Sequence, residues 1–323
     1  MKPKNNLLSK KFSILISDEM HGFFMEGAKA QGHKILYRPG ATREEIASLL
    51  PQMDAWILRT GVSADADLLS NGRSLKWIGR AGAGLDNIDL VQAEKMGIVC
   101  ENAGEANADA VGEHTLGMLL MLMHNLSRAH AEVKAGLWQR EANRGIELRG
   151  KTVGIIGFGN TGKAVAEKLS GFGVKLLVYD KYKKGFGLNQ IQEASLQDIQ
   201  AEADIISFHV PLTVETKGFL DASFILACQK PFFVLNLSRG KVVNHEDLIN
   251  GLNQGKVLGA ALDVLENEKI AALAGAELER FNKLANAPNV IITPHIGGWT
   301  QESFLKISQV LLDKLLFFSG NMK

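Results

Sequence analysis

Short apolar runs separated by longer amphipathic stretches restrict this chain to a narrow set of folds. FSILIS (12–17), KILY (34–37), DAWILR (54–59), LKWIG (75–79) and GIVC (97–100) have the length and residue types of strands. Helical patterns such as 43–50 and 90–96 lie between them. A second series follows: TVGIIG (152–157), KLLVYD (175–180), DIISFHV (204–210), FFVLNL (232–237), VLGAALD (257–263) and VIIT (290–293). Strands joined through helices pair in parallel across crossovers rather than as hairpins. The predicted fold class is therefore α/β, with two doubly wound parallel-sheet domains.

The 323 residues, 46% of them hydrophobic, are enough for two cores. The formal charge is +1, with 36 basic and 35 acidic residues interspersed, so the sequence predicts no nucleic acid partner and no membrane surface. Cys100 and Cys228 have no metal-ligand spacing, which fits a reduced, cytoplasmic protein without a metal site. The opening MKPKNNLLSKKF is basic but lacks an apolar core followed by small residues, so no export signal is expected. LGMLLMLM (116–123) is far short of the ~20 residues that span a bilayer. It reads as part of one long helix over 108–135, nearly apolar all round in its first half. Such a helix must be covered by both domains or by a second subunit.

In open α/β sheets, ligands bind beyond the carboxyl ends of the strands. The residues expected there are Arg59, Arg80-Ala81-Gly82, Gly157-Phe158-Gly159, Asp180, His209-Val210-Pro211, Ser238-Arg239-Gly240, Asp263 and Pro294-His295. The motif Gly157-x-Gly159-x-x-Gly162 ends a strand and opens a helix, and a second strand then ends in Asp180. That context makes it a dinucleotide fingerprint. Gly157 permits the tight turn, Gly159 lets backbone approach a pyrophosphate, and Gly162 lets helix and strand pack closely. A carboxylate at Asp180 suits the adenosine ribose hydroxyls and repels a 2′-phosphate, so the expected cofactor is NAD. Lys181, Lys183 and Lys184 follow Asp180 and leave NADP open.

GRAGAGLDNID (79–89), GIIGFGNTGKAVAEKL (154–169), HVPLTVETKG (209–218), NLSRG (236–240), ALDVLENE (261–268) and TPHIGGWT (293–300) occur in an order that resembles the NAD-dependent D-2-hydroxyacid dehydrogenases. The first motif is most similar to the D-3-phosphoglycerate dehydrogenase branch. The resemblance implies a flavodoxin-like substrate domain over 1–106 plus 299–323 and a Rossmann NAD-binding domain over 107–298. It implies a catalytic set of Arg239, Glu268 and His295, with Glu266 as the alternative to Glu268. Relatives often carry proline directly after that glutamate, where this chain has Lys269. Asn160 and Thr161 are implied on the pyrophosphate, Leu237 and Ser238 in the cofactor pocket, and Asp263 toward the nicotinamide carboxamide. His209 ends a strand next to Pro211, where a structural or cofactor-side role is expected rather than catalysis. Gly297 and Gly298 would lie close to the nicotinamide, and the Ala81, Gly82 and Ala83 amides would hold the substrate carboxylate.

These residue types suit the reaction on chemical grounds. An arginine binds the carboxylate of a 2-keto acid with two charge-assisted bonds and polarises the neighbouring carbonyl. Hydride addition leaves an alkoxide that a histidine protonates, and a carboxylate on the other ring nitrogen fixes its tautomer. The expected substrate is a small 2-hydroxy or 2-keto acid, foremost 3-phosphoglycerate at the entry to serine synthesis. Arg59 and Arg80 are either surface salt-bridge residues or ligands of the substrate phosphate. Glyoxylate/hydroxypyruvate reductase and D-lactate dehydrogenase are the alternatives within the class. An NAD(H)-sensing interaction protein of the corepressor type is the alternative outside it. Glu268 argues against formate dehydrogenase, whose resemblance would place glutamine there. A homodimer is expected.

Overall fold

The computed structural model describes residues 10–187 and 190–322. The opening nine residues, on which most of the export-signal reading falls, lie outside the described residues. The chain divides into two compact units, Met1–Asn107 with Trp299–Lys323, and Ala108–Gly298.

The strands of the first unit are β1 (Ser13–Ile16), β2 (Lys34–Tyr37), β3 (Ala55–Leu58), β4 (Trp77–Arg80) and β5 (Val99–Asn102). They form a parallel sheet in the order β2-β1-β3-β4-β5, the flavodoxin-like arrangement. Side chains alternate between its faces, as the strand period of two requires. Ile14, Ile16, Ile57 and Trp77 belong to the core beneath the helices Gly22–Ala30 and Gln301–Asn321, whereas Leu15, Trp56, Leu58 and Ile78 belong to the core on the other face. The two helices pack so closely that a Cβ at Gly27 would lie 2.3 Å from a Leu312 methyl. Both fully buried indoles keep a partner: Trp56 Nε1 donates to Ser17 Oγ at 2.9 Å and Trp77 Nε1 to Glu101 at 2.7 Å.

The second unit holds β6 (Thr152–Ile156), β7 (Lys175–Tyr179), β8 (Ile191–Glu193), β9 (Ile205–Phe208), β10 (Phe232–Asn236), β11 (Val257–Leu262) and β12 (Val290–Ile292). Their order is β12-β11-β10-β9-β6-β7-β8, all parallel. Counted from β6, this is the Rossmann order 3-2-1-4-5-6 with one further strand. Strand order reverses between β6 and β9, so the loops after these two strands frame the crevice where a dinucleotide binds.

The single helix expected over 108–135 is two helices, Ala108–Met123 and Leu126–Lys134. Asn125 breaks it at φ 53°, a left-handed conformation that asparagine tolerates better than most residues. The returning segment explains the break. Ile146 N–H donates to Met123 O at 2.9 Å, and a Cβ at Gly145 would lie 2.9 Å from His124 Cα. The first helix buries Val111, Gly112, Thr115, Met118, Leu119 and Leu122, while Leu116, Leu120 and Met121 stay half-exposed. Strand β8 has no counterpart among the sequence-predicted strands. Among the described residues, no helix is long and apolar enough to cross a membrane, and no His, Cys, Asp and Glu group could hold a metal ion.

Candidate active site

The glycine motif forms a turn that only glycine fits at two of its three positions. Gly157 has φ 98°, and a Cβ there would lie 2.4 Å from His209 O, which joins the β6 and β9 loops across the crevice. A Cβ at Gly162 would lie 2.0 Å from Gly157 O. Gly159 faces open space and is the N-cap of the helix Asn160–Leu169. The N–H groups of that first turn, Asn160 and Thr161 among them, have no intrahelical acceptor and suit an anion. A pyrophosphate therefore fits this cradle.

Asp180 also ties the turn together. One carboxylate oxygen accepts from Phe158 N–H at 2.8 Å; the other accepts from Tyr182 and Lys183 N–H, both at 2.9 Å. Partial burial pushes its carboxyl up, but these three donors and the Lys183 charge outweigh it and hold the pKa below the usual value. The lysines that left NADP open are engaged. Lys181 pairs with Glu215 at 2.5 Å, Lys183 Nζ donates to Phe158 O at 2.8 Å, and Lys184 lies 3.7 Å from Glu193. The carboxylate at the end of β7 and the glycine turn fit NAD.

His209 is buried, and its Nε2 lies 2.8 Å from Ser207 Oγ. Burial pushes the imidazole down to about 4 from 6.5. Between those values the unfolded chain binds the extra proton, so His209 contributes stability that is complete above pH 6.5 and lost as pH falls toward 4. The expected slope is up to about 1.4 kcal/mol per pH unit. Melting temperatures measured from pH 7 to pH 5 should fall less steeply in His209→Gln than in the parent. Equal slopes would assign acid sensitivity to other groups.

Arg239, Glu268 and His295 follow β10, β11 and β12, three neighbouring strands, so parallel pairing brings their loops to one end of one sheet. Asn236, at the end of β10 and fully buried, shapes the first loop. Its Oδ1 accepts from Ser238 N–H and Oγ at 3.1 and 2.8 Å, and its Nδ2 donates to Arg239 O at 2.9 Å. Gly240 then lets this loop press on the next, because a Cβ there would lie 1.9 Å from Leu265 O. The guanidinium donates to Ser238 O at 2.7 Å.

The geometry separates the two glutamates. Glu266 Oε1 accepts from His245 N–H at 3.0 Å, at the start of the helix His245–Asn253. Glu268 Oε2 lies 3.0 Å from His295 Nδ1, and both side chains are 46% exposed, open to a ligand. His295 has φ 55°, a left-handed backbone that costs about 1–2 kcal/mol outside glycine and must be held from outside. Asp263, 2% exposed, is the group that holds it. Its backbone O accepts from His295 N–H at 2.8 Å, and its carboxylate accepts from Thr293 Oγ1 (2.6 Å), Ile296 N–H (2.9 Å) and Gly297 N–H (2.8 Å). Both carboxylate oxygens of Asp263, the residue the resemblance sets toward the carboxamide, bond to the turn. Sequence reasoning also missed Asn236 and Thr293; a polar residue closing an apolar strand was the available signal for each.

In the first unit, Arg59 stacks on the Trp299 ring at 3.9 Å and lies 5.9 Å from the Phe304 ring. Burial lowers the guanidinium pKa, with Asp18 and Glu19 opposing. Asp18 organises the loop by accepting from Arg59 N–H at 2.9 Å and Gly61 N–H at 3.3 Å. Two of the three amides expected to hold the substrate carboxylate have acceptors within the chain. Ala81 N–H donates to Leu58 O and Gly82 N–H to Arg80 O, both at 2.8 Å. The β3–β4 ladder continues to Ala81, Gly82 closes a local turn on Arg80, and the Ala83 amide has no backbone acceptor among the described residues. Arg80, the last residue of β4, folds over Gly82, where a Cβ would meet its Nη1 at 1.6 Å.

A Rossmann-ordered unit with this glycine turn, and a Glu–His pair on the loops three and four strands away, is the arrangement of a dinucleotide-dependent oxidoreductase. Residues 116–297 match the model for the D-isomer specific 2-hydroxyacid dehydrogenase, NAD binding domain. The chain is 36% identical over 273 residues to hydroxypyruvate reductase of Thermotoga maritima, covering 84% of this chain and 87% of that protein. It is 34% identical over 317 residues to D-3-phosphoglycerate dehydrogenase of Bacillus subtilis, covering 96% of this chain but only 58% of that longer protein. Among solved structures it is similar to D-lactate dehydrogenase from Aquifex aeolicus complexed with NAD and lactic acid. That match has a TM-score of 0.81 and 30% identity over 95% of each chain. The chain belongs to the D-isomer specific 2-hydroxyacid dehydrogenase family, a family of NAD-dependent enzymes.

Proposed function

We propose that the protein interconverts a D-2-hydroxy acid and its 2-keto acid, with 3-phosphoglycerate and 3-phosphohydroxypyruvate as the preferred pair, the entry to serine synthesis. The His295–Glu268 pair, 3.0 Å apart on a turn held by a buried carboxylate, carries the reading. When bound, the nicotinamide supplies or receives the hydride. Arg239 binds the substrate carboxylate and polarises the adjacent carbonyl. Glu268 accepts a hydrogen bond from Nδ1–H of His295 and stabilises the imidazolium, whose Nε2–H faces the substrate. His295 delivers that proton to the forming alkoxide and takes it back in the reverse direction. The phosphate is assigned to Arg59 and Arg80. Stacking on Trp299 leaves the in-plane N–H edge of Arg59 for an anion.

Oxidation of NADH followed at 340 nm with 3-phosphohydroxypyruvate, hydroxypyruvate, glyoxylate and pyruvate tests the choice. The phosphorylated acid should exceed the others at least ~10-fold in kcat/KM, about 1.4 kcal/mol of transition-state binding. Arg59→Ala and Arg80→Ala should raise its KM alone. The second reading is hydroxypyruvate reductase, favoured by the Thermotoga relative of matching length; a lead for hydroxypyruvate would select it. No turnover with any 2-keto acid would instead point to an NAD(H)-sensing interaction protein.

The proposed assembly is a cytoplasmic homodimer. Leu126, Val133, Leu137, Trp138 and Ile146 are exposed around the helix Leu126–Lys134 and the segment after it, and Trp138 is 82% exposed. Apolar surface concentrated in this way suits a second copy of the chain. Light scattering should give about twice the 35.1 kDa chain mass. A monomer at micromolar concentration would refute the dimer.

A further inference from the structure

The polar chain beneath the His295 turn continues beyond Asp263. Thr293 Oγ1 lies 2.6 Å from Asp263 Oδ1 and 3.1 Å from His114 Nε2. A hydroxyl has one proton, and an ionised carboxylate can only accept, so the Thr293 proton goes to Asp263. The nearby Met118 sulfur, at 3.6 Å, is the weaker acceptor. Thr293 therefore offers a lone pair to His114, and the ring must carry its proton on Nε2. The same nitrogen lies 3.6 Å from Asp263 Oδ1. His114 sits on the buried side of the helix Ala108–Met123, and its side chain is 24% exposed. Its ring also packs behind the turn: a Cβ at Gly297 would lie 3.6 Å from His114 Cδ2.

We propose that His114 is a positioning residue for the dehydrogenase reaction. Its Nε2–H orients the Thr293 hydroxyl, which orients the Asp263 carboxylate, which holds the left-handed backbone at His295. The assignment rests on the reading of His295 as acid–base. It gives a role to a histidine that touches neither substrate nor cofactor in the mechanism above. A single carboxylate must take three donors in fixed directions, and the hydroxyl is the only one of the three free to rotate. Without the His114 donor, Thr293 can turn toward the Met118 sulfur, and Asp263 loses its shortest bond. The His295 ring would then sample other placements, and small displacements of a reacting group are costly in rate.

The test uses two pairs of variants, each with a disabling and a conservative member: His114→Leu with His114→Gln, and Thr293→Val with Thr293→Ser. The disabling members should lower kcat about 10-fold with the 2-keto acid KM and the NADH Kd changed less than about 3-fold. The conservative members, which restore an N–H donor or a hydroxyl, should return kcat to within about 3-fold of the parent. In the same proteins, the backbone amide resonances of Ile296 and Gly297 should shift in the disabling variants and return in the conservative ones. A His114→Leu variant with parental kcat and unshifted amides would overturn the proposal. So would Gln and Leu variants impaired alike while melting at the parental temperature. If the parent protein turns over no 2-keto acid, the dehydrogenase reading fails. The amide shifts then still decide whether His114 sets the turn.

Discussion

His295→Ala should lower kcat by about 10³-fold in both reaction directions, within the 10²–10⁴ range for loss of a general acid–base. The NADH Kd should change little, because the dinucleotide cradle belongs to the β6 and β9 loops rather than to the loop after β12. Glu268→Gln should cost less, about 10-fold, since an amide oxygen can still accept from Nδ1–H but carries no charge to stabilise the imidazolium. Glu266→Gln serves as the control. Its carboxylate engages the N–H of His245, so the substitution should leave kcat within about 3-fold of the parent. Stopped-flow NADH fluorescence gives binding and turnover in one experiment. A His295→Ala variant with a tenth or more of parental kcat would remove histidine from the proposed mechanism.

Gly240→Ala is the second substitution with a large expected effect, although it adds only a methyl group. That methyl would lie 1.9 Å from Leu265 O, 2.0 Å from Leu265 C and 2.6 Å from Glu266 N. The obstacle is backbone, so no rotamer change relieves it. The loops carrying Arg239 and Glu268 must separate, with an expected loss of about 3 kcal/mol, at the upper end for overpacked sites. Activity should fall further than stability, since both reacting loops move. A thermal melt paired with kcat/KM checks both parts. A Gly240→Ala variant that melts and turns over like the parent would show that the loops are not in the register described.

The strands were legible because apolar runs of four to six residues bounded by polar ends leave few other readings. The glycine turn was legible because Gly157 and Gly162 answer to contacts at 2.4 and 2.0 Å that no other residue satisfies. The break at Asn125 was not. The residues around it keep a helical pattern, and the interruption comes from Gly145 and Ile146 returning to the helix end. Strand β8 is three residues long and half-buried, too short to leave a period. Residue type and motif pointed to the candidate side chains and to Asp263, but not to two of the polar residues that shape their loops. Asn236 and Thr293 are ordinary polar residues whose significance depends on which strands lie adjacent. Motif spacing favoured Glu268 over Glu266, and the coordinates add the partners, His295 for Glu268 and the His245 N–H for Glu266.

Asp180 places a constraint on any attempt to redesign the coenzyme preference. Exchanging this carboxylate for a small neutral residue is the obvious route to accommodating an extra phosphate. Here the same carboxylate accepts three main-chain N–H bonds and fastens the glycine turn to the end of β7. The side chain expected to set specificity is thus also part of the scaffold. A successful conversion would have to supply a substitute acceptor for Phe158, Tyr182 and Lys183 and release Lys181 from Glu215 in the same step. A library varied at position 180 alone should return unstable proteins more often than proteins of altered preference.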